Sequence, residues 1–271
     1  MAGDLGWVPP GVDPAQANVA RVYDYWLGGS HNFLADQDLG RAMAAVVPNV
    51  RAIAQANRAF LGRAVRFLTA AGVSQFLDIG SGIPTQGNVH EVAQQGGGPA
   101  ARVLYADIDP VAIAHSKAIL NGDPNAAIIE ADLREPESIL AHPVTRRLID
   151  LDRPVGLLLV AVVHFLADAD DPWALVAELR DRLPSGSYLV LSHATSESRP
   201  EVTQAASTMY RSRVASKGRA RSQAEIGRLL DGFDLVDPGL VYLPLWRPDP
   251  ADEVPADPSL LWFLAGAGRK P

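Results

Sequence analysis

The strongest constraint on this chain is a repeated unit in which a short apolar run closes on glycine, an acid or histidine and helical periodicity follows. QFLDIG (75–80), RVLYAD (102–107), AAIIEAD (126–132), VGLLLVAVV (155–163) and SYLVLSH (187–193) are five such runs. Apolar residues on both parities mark strands buried on both faces, as in a parallel sheet. The helical stretches between them predict right-handed crossovers, so the fold class is α/β with a Rossmann-like, mostly parallel sheet. Two late strand candidates, FDLVDP (233–238) and LLWFLAGAG (260–268), follow a helix over 222–230 and predict an antiparallel, hairpin-like edge.

Residues 1–72 read differently, as helices only. Asp13-Pro14 reads as a cap opening a helix that Gly28-Gly29 ends, with further helices over 34–47 and 49–71. This divides the chain into an N-terminal helical lid (1–72) and a core (73–271). In the core, helices are predicted over 85–95, 110–120, 137–149 and, from Asp171-Pro172, to Leu183. The chain has no cysteine, which excludes disulfides, thiolate metal sites and cysteine nucleophiles. No apolar run has membrane-spanning length, and the start lacks signal-peptide features, so a cytoplasmic location is expected. The formal charge of −7 argues against general nucleic-acid binding. A local excess of cations, Arg199, Arg211, Arg213, Lys217, Arg219 and Arg221, has two readings: a solvated helix face or a site facing an anionic substrate.

In open α/β sheets ligands bind beyond the carboxyl ends of the strands, at the switch point. After the first strand come Asp78, Gly80, Ser81 and Gly82, and the glycines allow close backbone approach to a ligand. Asp107 ends the second strand, where a carboxylate can accept both hydrogens of a ribose diol. Asp132 ends the third. Each acid alone could be a helix cap, as Asp109 before Pro110 is expected to be, but together they point to a nucleoside cofactor. The dinucleotide pattern fails at its third glycine, where Thr85 stands. Asp78 would also repel a pyrophosphate, whereas it suits the cationic S-adenosylmethionine.

FLDIGSG, YADIDP, EADL, LLLVAVVHFL and PSGSYLVLSH resemble the successive motifs of class I methyltransferases. With ARVYDYWLGGSHNFLADQ, ANRAFLGRAVRFL, GIPTQGNVHEVAQ and LVLSHAT added, the chain resembles a bacterial family of S-adenosyl methyltransferases of largely unassigned substrate. The resemblance implies that Gly80, Ser81 and Gly82 pass the methionine end of the cofactor and Asp107 holds the ribose. It also implies that Ile108 packs on the adenine, with Asp132 and the Leu133 backbone at its amino group.

His164, after the fourth strand, is the candidate general base, since imidazole titrates near neutrality. A cofactor-side or structural role is the alternative, because Phe165-Leu166 follows rather than an acidic-aromatic pair. His193 is a weaker candidate of the same kind. Tyr23, Tyr25, Asn32 and Phe33 around Gly28-Gly29 are read as a lid over the acceptor, and Arg58 as a partner for the cofactor carboxylate. Asp168, Asp170 and Asp171 lack calcium-loop spacing, so no metal is expected. The expected partner is a small-molecule acceptor. The rival functions are a non-catalytic cofactor-binding sensor and a nicotinamide-dependent oxidoreductase.

Overall fold

The computed structural model describes residues 8–9, 12–84, 87–98, 100–214 and 219–271. Its sheet runs β3-β2-β1-β4-β5-β8-β6, with β7 pairing β8 beside β6. The strands are β1 (Gln75–Ile79), β2 (Arg102–Asp107), β3 (Ala126–Glu130), β4 (Gly156–Val160), β5 (Tyr188–Ala194), β6 (Asp234–Leu235), β7 (Val241–Tyr242) and β8 (Phe263–Arg269). Strands β1 to β5 pair in parallel, while β8 runs antiparallel to β5, β6 and β7. The two late strands do pair, but β8 inserts between β5 and β6 after a long excursion instead of closing a hairpin. Strand order reverses at β1 and β4, which places the switch point between Asp78 and the end of β4.

Alternation along each strand divides the core into two layers. Phe76, Val103, Tyr105, Leu158, Tyr188 and Val190 face one side, with Phe60, Ala64 and Leu68 of α3 (Val50–Ala70). Leu77, Ile79, Leu104, Leu157, Leu159 and Leu189 face the other, with Val176 and Leu179 of α8 (Pro172–Arg182). Helices α4 (Val89–Gly97) and α5 (Pro110–Ile119) complete the first side, and α6 (Pro136–Ala141), α7 (Pro143–Leu148) and α10 (Gln223–Arg228) the second. The N-terminal helices α1 (Val19–Trp26) and α2 (Leu34–Val46) share the α3 layer, since Val22, Trp26, Leu39 and Met43 belong to the same buried cluster as Phe76. Helix α9 (Pro200–Arg213) follows β5.

Several boundaries differ from the sequence reading, each for a local reason. Asp13 caps only a turn, accepting from Ala15 N at 2.9 Å; α1 begins at Val19, where Asn18 accepts from Ala20 N at 2.7 Å. The helix expected over 137–149 is two helices, α6 and α7, broken at His142-Pro143. Proline has no N–H for the preceding turn and holds His142 in extended backbone. Helix α4 starts at Val89 under a capping box in which Glu91 Oε2 accepts from Asn88 N at 2.9 Å; the start expected at Thr85 lies outside the described residues. Strand β4 stops at Val160 because Ala161 adopts a left-handed φ of 56°, and a 3₁₀ turn over Val163–Phe165 follows.

Candidate active site

The tip of β1 builds the centre of the site. Asp78 shares its face of β1 with Phe76, the face covered by α3, and so lies opposite Arg58. Arg58, Asp78, Ser81 and Gly82 line one cleft with Asn88 and Tyr105. Burial pushes Asp78 up to about 7, against the pull of Arg58 and with a push from Asp107. Arg58 Nε and Ser81 Oγ are buried without a hydrogen-bond partner among the described residues. Unpaired buried donors in a cleft are costly and mark positions where a ligand can complete the bonding.

Gly80 and Gly82 both adopt left-handed backbone, with φ of 72° and 67°. A Cβ on Gly80 would lie 2.3 Å from Val162 Cγ2, so the β1 loop packs directly on the β4 loop. Beside Gly82 a Cβ would meet open space, so this glycine is needed for its conformation and leaves the loop surface free.

Asp107 secures the loop from the tip of β2. Its Oδ2 accepts from Gly82 N at 2.7 Å and its Oδ1 from Asp109 N at 2.9 Å. Burial raises its pKa in spite of these backbone donors. The Ile108 N–H also acts on this carboxylate, and the remaining lone-pair directions of its oxygens stay available. The neighbouring Ile108 is 54% exposed, a large apolar side chain held out at the strand tip. Asp132 is engaged by its own neighbour: Arg134 N donates at 2.9 Å and Arg134 Nε reaches both carboxylate oxygens at 3.0 Å. Leu133 is buried in the second layer.

The aromatic N-terminal segment is held in place by polar contacts. Asp24 is buried and accepts from His31 N at 2.9 Å and from Asn32 Nδ2 at 2.8 Å. Phe33 is buried against Ile83, Val111 and Ala112, beneath the Arg21 guanidinium 5.0 Å from its ring. Arg21 lies 3.6 Å from Asp36 and 3.7 Å from Asp109, which ties the segment to the cap of α5, two residues beyond Asp107. Tyr23 donates to Ala54 O at 3.0 Å, and Tyr25 lies under Arg51. Of the two glycines, Gly28 is left-handed but Gly29 is a packing residue, because a Cβ there would lie 2.0 Å from Asp24 Oδ1. Gly29→Ala should therefore destabilise the chain by about 1–3 kcal/mol, the usual cost of overpacking. Chemical denaturation measures it, and an unchanged midpoint would mean that the Asp24 latch gives way without cost.

On the far side of β4 the two histidines differ. His193 is completely buried, with Nδ1 donating to Ala194 O at 2.8 Å and Nε2 accepting from Arg221 Nη1 at 3.0 Å, so it caps the sheet end. His164 is half-buried and packs on Phe165, Phe263 and His193, with ring centroids 4.2, 5.3 and 5.6 Å away. Its Nδ1 is buried without a hydrogen-bond partner among the described residues. Burial, with a push from Arg221, takes His164 down to about 3, so the ring is neutral.

The basic segment divides: Arg199, Arg211 and Arg213 are exposed, while Arg219 and Arg221 at its end are engaged internally. Arg219 pairs with Asp168 and Glu225 at 2.7 Å each. Arg221 is completely buried and donates to Val163 O at 3.3 Å, Leu166 O at 2.9 Å and Asp168 Oδ1 at 3.0 Å. It straps the β4 loop instead of facing a substrate anion; Lys217 lies outside the described residues. Asp168 thus serves these two arginines. The sequence placed Arg221 in the cation cluster without revealing its buried role, and did not single out Asn57 or Ser192, because their partners lie far away along the chain.

No helix among the described residues is long and apolar enough to cross a membrane. None of their His, Asp and Glu side chains form a cluster of three or more suited to a metal ion. No curated protein matches the chain in sequence. Two crystal structures resemble it over nearly all of both chains. A proposed methyltransferase of Thermobifida fusca YX shares 44% identity at a TM-score of 0.90, covering 97% of this chain and 98% of its own. A DUF574 family protein of Streptomyces avermitilis MA-4680 shares 40% identity at a TM-score of 0.91, covering 96% and 99%. The model of the S-adenosyl methyltransferase family matches residues 6–271. The chain belongs to this family and is an S-adenosylmethionine-dependent methyltransferase.

Proposed function

We propose that the cleft between Arg58 and Asp78 receives the methionine end of S-adenosylmethionine, and that the acceptor is a small molecule approaching past the β4 loop. The observation that carries this reading is the pairing of a buried acid with a half-buried arginine whose buried Nε has no partner among the described residues, both on one cleft wall. An α-ammonium and an α-carboxylate are complementary to those two groups, and the unpartnered Ser81 Oγ stands beside them. The free lone pairs of Asp107 suit a ribose diol, and the exposed Ile108 suits the face of an adenine. Asp132 could reach the adenine amino group only while sharing its oxygens with Arg134. The cation of an oxidised nicotinamide dinucleotide is a ring nitrogen without N–H, which cannot donate to Asp78 as an ammonium does.

When bound, the cofactor supplies an electrophilic methyl group on sulfur. This chain's residues orient the two reactants and keep water out. The segment over 19–37, tied by Arg21 to Asp109 and by Asp24 to its own loop, is proposed to cover the acceptor side, with Tyr23, Tyr25 and Phe33 as its apolar lining.

The test uses the raised pKa of Asp78. Below pH 7 free Asp78 holds a proton, and an ammonium partner favours the carboxylate. Binding of S-adenosylhomocysteine should therefore release a proton near pH 6.5, and affinity should fall about tenfold from pH 8 to pH 6. Calorimetry in buffers of different ionisation heat reads the proton directly. Asp78→Asn should abolish both the release and the pH dependence. Binding of NAD with affinity equal to that of S-adenosylhomocysteine, or no proton release by the parent, would reject the assignment.

A further inference from the structure

Asn57 and Arg58 are consecutive on α3, yet they serve different parts of the site. Arg58 lines the cleft with Asp78. Asn57 is buried and accepts from Ser192 Oγ at 2.6 Å, while its Nδ2 donates to Tyr23 Oη at 3.0 Å. Tyr23 passes its own hydrogen to Ala54 O at 3.0 Å. Ser192 Oγ accepts in turn from Ala161 N at 2.9 Å, an N–H that also points at Ser192 O, 3.1 Å away. A continuous hydrogen-bond chain therefore runs from α1 through α3 to β5 and ends on the first residue beyond β4.

That residue is Ala161, held at φ 56°, where an L side chain is disfavoured and persists only if its surroundings fix it. The turn at Ala161 directs Val162 onto Gly80 and carries the chain into the 3₁₀ turn that bears His164. At position 57 an apolar side chain would leave the buried Ser192 hydroxyl without its acceptor and Tyr23 Oη without its donor, and an aspartate could not donate to Tyr23. An asparagine presents both an acceptor and a donor, as this chain of bonds demands.

We infer that Asn57 is a positioning residue of the methyl-transfer site: through Ser192 it fixes left-handed Ala161, and so sets the β4 loop against the cofactor loop and couples it to the N-terminal segment through Tyr23. The inference rests on the reading of the β4 tip as the acceptor side.

Hydrogen exchange on the full chain, with and without S-adenosylhomocysteine, tests it through Ser192→Ala, Ser192→Thr and Asn57→Leu. Ser192→Ala and Asn57→Leu should lower protection of the amides over 161–166 by at least about tenfold more than that of β2 and β3, since the opening is local. The same two variants should weaken S-adenosylhomocysteine binding by about tenfold, and Ser192→Thr, which keeps the hydroxyl, should restore both readouts. A merely structural role predicts a loss of protection spread evenly over the sheet, or equal behaviour of the alanine and threonine variants; either result overturns the inference. If Asn57→Leu does not fold, the Ser192 pair decides. If the parent itself fails to bind S-adenosylhomocysteine, the cofactor reading falls, while the exchange pattern still decides the role of Asn57.

Discussion

Asp107→Ala should lose about 2–4 kcal/mol of S-adenosylhomocysteine binding, roughly 30- to 10³-fold in affinity, because a charged bidentate hydrogen-bond pair disappears. The structure adds a second route to the same loss. Asp107 also holds Gly82 N and Asp109 N, at 2.7 and 2.9 Å, so its removal frees the left-handed loop before any ligand arrives. The two contributions separate in a cycle with a ligand lacking the ribose hydroxyls. If Asp107 contacts the diol, the variant loses clearly less affinity for the deoxy ligand than for the parent ligand. Equal losses would restrict Asp107 to shaping the loop, and an unchanged affinity for S-adenosylhomocysteine would remove it from the site altogether. The Asp107→Asn variant keeps one backbone acceptor and should fall between the two.

The strand-end residues proposed to hold the cofactor were visible in the sequence because they depend on local signals. Glycines at 80 and 82 and acids at 78 and 107 sit at strand ends whose periodicity is unambiguous, and the sheet order then brings those ends together. The other half of the site depends on contacts distant in sequence. Ser192 meets Asn57 across 135 residues, and Arg221 meets Val163 and Leu166 across more than fifty, so no spacing rule announces either pair. The cation cluster over 199–221 shows the same limit from the opposite direction. Read along the chain it is an excess of positive charge; in the fold Asp168 and Glu225 neutralise its buried end. The split of the predicted helix at Pro143 was visible in the residues, because proline cannot continue the turn before it, but the apolar pattern on either side outweighed it.

His164→Ala should lower turnover by about 10²-fold, the low end of the range for a general base because a ring held near 3 is a weak one, and leave S-adenosylhomocysteine affinity within about threefold of the parent. The site gives this histidine an unusual setting for that task. Held down to about 3 by burial and by Arg221, the imidazole stays neutral through the physiological range and has an unpartnered Nδ1. A neutral ring can accept a hydrogen bond from an acceptor O–H or N–H, but its protonated form is too acidic to take the proton early. Proton transfer is therefore expected late, as the acceptor gains the methyl group and its own acidity rises. Two measurements follow once a panel of small hydroxyl- and amine-bearing molecules has supplied an acceptor. The pH–rate profile should show no histidine limb between pH 5 and pH 8, because the free-protein transition lies far below that window. His164→Gln, which can accept a hydrogen bond but cannot take up a proton, should recover only a small part of the lost rate. Near-complete recovery by glutamine would make His164 an orienting group. A loss confined to cofactor affinity would reassign it to the packing of Phe165 and Phe263, and the cofactor site would stand without it.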